Sequence, residues 1–467
     1  MKKKYLFLAG FAAMVLAACS DDVTTDTPTP TPEPEVNENV VPLEIFDGAS
    51  QQGRLTLSAG TRAAEKWTRL KEVAQIAPPT EYEDLDWSAT AVLIRGDHKT
   101  GFVTWHSNRQ ANNPAEEWGG ALDWFDIKDN VPTEFKGVGI NKELKFNNLF
   151  LYNNNQFFVS ATSYKTGATI GRIGFMGAQM GKTVECIGFP GSSVNAIAAT
   201  NDGKLIAVSG YEGTYGTFAA DVEAKPWDYE VAENNKGIEV GTPMSETFGG
   251  KYVVVDGTNT YILRNNNDEG KILNVGFEEE FGLEVPLLSA DKSAEDYWID
   301  EDGEIHWDLS ADKKAYYGKH VLAVKGNFAY VGAGQNGLRV YDINKGNLTW
   351  NNETTTTGVF VDDDFVYAAS GAGLRVYKYS EDGKLELFAF QVTAYDVKGE
   401  PVENLVPGGE YTDEDGNKID TTPDFHSCNF VTAYEADGMK YIYVAFGQSG
   451  VRVYKLDPNA PAEDDAE

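Results

Sequence analysis

The residues able to do chemistry in this 467-residue sequence are scattered rather than clustered. The five histidines are His98, His106, His306, His320 and His426. No two have the i, i+4 spacing that sets a pair of imidazoles on one face of a zinc-binding helix. The three cysteines, Cys19, Cys186 and Cys428, form no Cys-x-x-Cys. Asp413-Glu414-Asp415-Gly416-Asn417 has the acidity of a calcium loop. Lys418 stands sixth, however, where such a loop needs glycine for its sharp bend. Asp362-Asp363-Asp364 reads as a hairpin turn. The Gly-x-Ser-x-Gly elbow of a serine hydrolase is absent, as are a phosphate loop and a dinucleotide fingerprint. Among so many acids no glycosidase pair stands out. No catalytic residue, metal site or cofactor is therefore expected.

The elements that must position any site are strands, and they repeat. Gly337-Leu338-Arg339-Val340-Tyr341 returns as Gly373-Leu374-Arg375-Val376-Tyr377 and as Gly450-Val451-Arg452-Val453-Tyr454. Each copy follows a second apolar run, at Phe328–Ala333, Phe365–Ser370 and Tyr441–Phe446. The unit is strand, glycine-ended turn, strand, because glycine takes positive φ without a steric penalty. Alternation sets Leu338 and Val340 on one face, with Leu374, Val376, Val451 and Val453 at the matching positions. These six should fill the space between adjacent sheets. Arg339, Arg375 and Arg452 recur in identical surroundings, which favours packing between sheets or stacking on tyrosine over a ligand comb. The first two copies lie 36 residues apart, close to the length of one four-stranded propeller blade.

Val324-Lys325-Gly326-Asn327-Phe328-Ala329-Tyr330-Val331, followed by Gly337-Leu338-Arg339-Val340-Tyr341-Asp342-Ile343, resembles the LVIVD-type β-propeller repeat of bacterial surface and secreted proteins. The resemblance is good over about residues 320–390 and 426–457 and faint over 88–290. It implies a propeller and no single activity.

Weaker strand clusters extend the count. Residues 91–127 and 148–175 read as two blades, and the runs at 194–208 and 252–263 open two more. With the three strong copies the fold class is all-β, a seven-bladed β-propeller over residues 88–458. An eighth blade remains open if residues 385–425 hold a degenerate copy. Residues 272–318 and 393–424 read as long insertions. Residues 45–87 are either a lead-in or the strand that closes the ring, and 459–467 an acidic tail.

In a propeller the start of each innermost strand faces the central channel. His320 and His426 stand just ahead of two such strands, and Asn148, Asn195 and Asn429 should lie near them. These five are the candidate ligand-binding residues at the channel mouth. Cys186 and Cys428 fall in blades separated by another and should be unpaired.

Residues 1–18 join a basic head to an apolar run, as a secretory signal does. They end in Leu16-Ala17-Ala18-Cys19, which resembles the bacterial lipobox and implies lipidation of Cys19. Ser20-Asp21-Asp22 resembles the export signal of Bacteroidetes outer-membrane lipoproteins that face the cell exterior. Asp420-Thr421-Thr422 resembles the O-glycosylation motif of that group, with Thr421 as acceptor. Residues 19–44 carry the lipidated cysteine and read as a tether too polar to fold. With 72 acidic against 39 basic residues, the net charge of −33 excludes a nucleic-acid binder. The expected function is a non-catalytic binding or scaffold module for an extracellular protein or glycan, anchored to the outer membrane through Cys19. The alternative is a channel-centred, lactonase-like hydrolase using a divalent metal.

Overall fold

β-Branched and aromatic residues in alternation build nearly every element of this chain. The structure is a computed structural model. It describes residues 40–57, 69–107, 118–153, 156–210, 215–219, 238–240, 249–265, 270–274, 283–285, 297–299, 305–307, 320–392 and 428–461, apart from single residues or pairs within these spans. The two candidates His426 and Thr421, the acidic stretch at 413–417 and the second insertion lie outside the described residues.

The strands form antiparallel meanders, so each sheet is built around one continuous stretch of chain, and three of the sheets gain strands from the N-terminal segment. The first sheet comprises Trp87–Ile94, Thr100–Ser107, Gly120–Lys128 and Val131–Asn141. The second has Leu144–Asn153, Gln156–Ser163, Gly167–Met176 and Thr183–Gly188 as its main strands. Ser193–Ala199, Lys204–Gly210, Tyr215–Ala219 and Ile238–Val240 form the third. Gly249–Asp256, Asn259–Asn265, Gly270–Asn274 and Leu283–Val285 form the fourth. The repeat copies supply the fifth sheet, Leu322–Lys325 to Asn347–Asn352, and the sixth, Gly358–Val361 to Leu385–Val392. The last sheet contains Phe430–Ala436, Met439–Ala445 and Val451–Leu456. A two-stranded hairpin, Tyr297–Ile299 with Ile305–Trp307, stands outside these sheets. The innermost strands touch in chain order, and Phe430–Ala436 returns to touch Trp87–Ile94. The chain is an all-β propeller.

Sheets stacked side by side bury both faces of their inner strands. Leu338, Val340, Leu374, Val376, Val451 and Val453 are buried as alternation predicts, and so are Tyr341, Tyr377 and Tyr454 on the opposite face. Each such leucine or valine contributes about 1.5–3 kcal/mol relative to exposure. Two of the repeated arginines pack on phenylalanine rings, Arg375 at 4.4 Å from the Phe390 centroid and Arg452 at 5.9 Å from that of Phe446, while Arg339 sits beside the Tyr341 hydroxyl. Cys186 and Cys428 are both free and buried. Burial pushes the Cys428 thiol pKa up.

The N-terminal segment departs from a plain tether. Val40–Pro42 pairs with Thr183–Gly188 at the edge of the second sheet, and Glu44–Asp47 pairs with Val131–Asn141 at the edge of the first. Residues 40–44, expected to belong to the tether, are instead ordered at the sheet edges, with Val41 and Leu43 buried against the second sheet. Leu70–Ile76 then pairs with Val451–Leu456 and supplies the missing strand of the last sheet. Of the two readings of residues 45–87, the closing strand is the one found. Leu55–Leu57 adds a further strand beside it. The segment thus straps three neighbouring sheets. Arg54 locks it down, donating from Nη1 to Asp123 Oδ1 at 2.9 Å and from Nη2 to Asp123 Oδ2 at 2.5 Å. Residues 272–274 and 283–285, expected to belong to the first insertion, are instead parts of outer strands of the fourth sheet.

Candidate functional site

A polar collar runs around the start of the innermost strands. In the first four sheets a β-bulge leaves one residue of the innermost strand unpaired: Thr90, Asn147, Asn195 and Lys251. A bulge turns its extra side chain away from the regular alternation, here toward the neighbouring sheet. In the fifth, sixth and last sheets the register aligns Gly332, Ala369 and Ala445 opposite Leu338, Leu374 and Val451, the residue after the turn glycine of each repeat copy. Val321, Gly358 and Phe430 lie across from them, so His320, Thr357 and Asn429 occupy the collar position. The residue that matches His320 in the last sheet is Asn429, while His426 lies outside the described residues.

The collar side chains hold sheet to sheet. Thr90 Oγ1 donates to the Phe146 carbonyl at 2.9 Å, and Asn147 Nδ2 donates to that of Val194 at 2.9 Å. Asn195 Nδ2 donates to the Gly250 carbonyl at 2.6 Å. Thr357 Oγ1 donates to the Cys428 carbonyl, and Asn429 Nδ2 to that of Ala89 at 2.7 Å. In every case the acceptor is the residue just before the next collar residue. Each of these bonds satisfies a backbone oxygen at the sheet junction. Asn195 and Asn429, predicted as ligand-binding groups, spend their amides on these bonds. Asn148 lies beside the collar: its Oδ1 accepts from Leu149 N at 2.7 Å, and its side chain hydrogen-bonds Tyr252.

His320 differs. It is 2 % exposed, and its Nδ1 is buried with no hydrogen-bond partner. The carbonyl it would otherwise reach, that of Thr356, accepts instead from Gly334 N at 2.8 Å. Gly334 has φ +59°, and a Cβ there would lie 3.1 Å from His320 Nε2, so glycine is needed for both backbone and space. Burial, aided by the charge of Lys251, lowers the His320 pKa to about 3. The imidazole is therefore neutral at pH 7.

Sequence reasoning missed Thr90, Asn147, Lys251 and Thr357. The available signal was a polar residue interrupting the apolar start of an inner strand, as in Ala89-Thr90-Ala91 and Phe146-Asn147. It also missed Lys145, two residues ahead of Asn147, whose Nζ lies 4.0 Å from the Trp118 centroid. Burial lowers the Lys145 pKa to about 8. Among the described residues no group of three or more His, Cys, Asp or Glu side chains is arranged to hold a metal ion. Asp362 instead caps its hairpin turn, its Oδ1 accepting from the backbone N of Asp364 and Phe365 at 2.8 Å each.

Residues 320–356 match the LVIVD repeat family model. No curated protein matches the chain. Among solved structures, that titled "Structure of U3-55K" is similar at 8 % identity and a TM-score of 0.43, covering 83 % of this chain and 98 % of that one. The chain is a β-propeller that carries an LVIVD repeat at residues 320–356.

Proposed function

We propose that this chain is a lipoprotein of the outer membrane, held by lipid at Cys19 and facing the cell exterior. Its propeller, seven-bladed in this reading, serves as a non-catalytic binding or scaffold module for an extracellular protein or glycan. The ring of inner-strand contacts from Trp87–Ile94 round to Phe430–Ala436 supports the blade count. The observation that carries the binding reading is the collar. Five of its polar side chains are committed to neighbouring backbones, so the channel mouth has the chemistry of a structural clasp. Such a body presents its loops on a fixed frame, as binding proteins do. The apolar run before Cys19 and the Ser20-Asp21-Asp22 sequence support the address.

The test combines address and binding. Protease added to intact cells should remove the body, and Cys19→Ala should release it to the soluble fraction. The released chain should bind surface glycans or a surface protein equally well with and without EDTA. Full protection in intact cells would overturn the surface reading. A stoichiometric divalent metal, with hydrolysis abolished by EDTA, would overturn the non-catalytic one.

A further inference from the structure

We infer that the channel-mouth end of the junction between the first and second sheets carries a binding site for a neutral glycan, with the Tyr164 ring as stacking platform and the Glu143–Lys165 pair as the hydrogen-bonding group for a vicinal diol. The inference deepens the binding reading above and rests on it.

Three turns meet at this junction. Lys142 and Glu143 lie between Val131–Asn141 and Leu144–Asn153, and Tyr164 and Lys165 between Gln156–Ser163 and Gly167–Met176. Trp118 stands just ahead of Gly120–Lys128. Tyr164 is 48 % exposed, yet it is held in place. Its backbone N donates to the Glu143 carbonyl at 2.9 Å, and its ring makes a T-shaped contact with Trp118, centroids 6.0 Å apart. Trp118 is itself pinned, its Nε1 donating to the Thr162 carbonyl at 3.2 Å and Lys145 Nζ lying 4.0 Å from its centroid. Asn141, 3 % exposed, fixes the turn that carries Glu143: its Oδ1 accepts from Glu143 N at 3.0 Å and from Leu144 N at 2.7 Å. Lys165 Nζ donates to Glu143 Oε2 at 2.8 Å, the two side chains being 63 % and 36 % exposed.

Single exposed apolar residues are ordinary. The surroundings of Tyr164 set it apart. The ring leaves apolar surface in water, and the exposed ion pair beside it adds little to stability, so folding gains little from the arrangement. Groups mounted this firmly lose little freedom when a ligand arrives.

The chemistry selects the ligand class. An aromatic face is the negative side of the ring quadrupole, so the weakly positive C–H face of a sugar stacks on it. A hydroxyl both donates and accepts. Two neighbouring hydroxyls can therefore donate to the Glu143 carboxylate and accept from the Lys165 ammonium together. A charged ligand would be drawn to one member of the pair and repelled by the other. The net charge of −33 further disfavours an anionic glycan.

The experiment titrates the detergent-solubilised full chain with maltohexaose, cellohexaose, mannohexaose and polygalacturonate by calorimetry. Saturable binding of at least one neutral probe is expected. Tyr164→Ala should weaken it about tenfold or more, as removal of a central aromatic anchor does. Tyr164→Phe should retain it, because the stack uses the ring and not the hydroxyl. Glu143→Gln and Lys165→Met should each weaken it by a smaller factor. These side chains are at least one-third exposed, so the variants should keep the wild-type melting temperature, and a loss of binding then reads the site. No binding of any neutral probe, preference for polygalacturonate, full retention in Tyr164→Ala, or equal loss in Tyr164→Phe and Tyr164→Ala overturns the site. Capture of a surface protein that Tyr164→Ala abolishes, with no neutral probe bound, makes the patch a protein contact and overturns the glycan. A chain that binds surface glycans or a surface protein equally well with Tyr164→Ala overturns this inference and leaves the binding reading standing.

Discussion

The Asn429 side-chain amide donates to the Ala89 carbonyl at 2.7 Å, although 340 residues separate the two in sequence. The bond joins the last sheet to the first at the innermost strand. Next to it the Ala89 N donates to the Gly447 carbonyl at 2.8 Å. The seam is thus held at the axis by these two bonds, and within the last sheet by Leu70–Ile76 pairing with Val451–Leu456.

Asn429→Ala should therefore destabilise the chain by about 1–3 kcal/mol, because it leaves a buried carbonyl without its donor. Asn429→Asp should be worse, since a carboxylate facing a carbonyl offers only acceptors. Urea unfolding monitored by tryptophan fluorescence reads both. A neutral Asn429→Ala would show that the collar bond adds nothing to closure.

The strap makes a second prediction. Arg54 and Asp123 are 3 % and 0 % exposed in their side chains, and Trp105 Nε1 also donates to Asp123 at 2.7 Å. Removing one partner of a buried pair strands the other charge, at about 3–5 kcal/mol. Arg54→Ala should thus cost far more than Lys165→Ala, whose exposed pair with Glu143 contributes about 0–1 kcal/mol. Equal melting temperatures for the two variants would remove the strap from the account of stability.

Much of the fold was legible, and the limits have physical causes. The three Gly-Leu/Val-Arg-Val-Tyr copies declared themselves because both faces of a blade are buried and the turn demands glycine. Val40–Pro42 and Glu44–Asp47 did not, since strands this short add pairing at an edge and leave almost no alternation to read. At the collar, Asn195 and Asn429 were visible as polar residues near apolar runs. Thr90 was invisible because threonine suits a strand, and its bulge has no signature in composition. The sequence points to Asn148 as readily as to Asn147, because only the bulge decides which of two neighbouring asparagines leaves the alternation.

Core packing is the third test. Leu374 is fully buried between the sixth and last sheets. Leu374→Ala should cost about 2–5 kcal/mol. Lys378, at the exposed end of the same strand, lies 4.5 Å from the Phe388 centroid. Lys378→Ala should cost no more than about 1 kcal/mol. Calorimetry should show one transition in both variants, because the sheets share one ring of contacts. Separate melting of residues 320–457 and 88–290 would contradict the ring.

His320 predicts a pH dependence with a definite sign. Its pKa is lowered from 6.5 to about 3 by burial and the charge of Lys251. Between these values the unfolded chain binds a proton that the folded chain does not, so stability falls as pH falls. The contribution is fully present above about 6.5 and is lost on acidification toward 3. His320→Phe removes the titrating group. The melting-temperature difference between wild type and this variant should therefore shift in favour of the variant as pH drops through that window. A difference independent of pH would show that His320 titrates normally in the fold.

The cysteines give a prediction that tests lipid and fold in one count. The sequence has three, Cys19, Cys186 and Cys428. Cys186 and Cys428 are free and fully buried, in the second and last sheets, with the first sheet between them. Both thiols are buried away from reagent, and burial also raises the Cys428 pKa, which keeps that thiol in the protonated form that does not attack a disulfide reagent. The mature, membrane-extracted chain should therefore show no reactive thiol when native. In denaturant it should show two, because a lipidated Cys19 carries a thioether and does not react. Three thiols in denaturant would remove the lipid from Cys19. Fewer than two would mean that Cys186 and Cys428 are joined, which needs Cα atoms within about 7 Å and therefore a different arrangement of sheets.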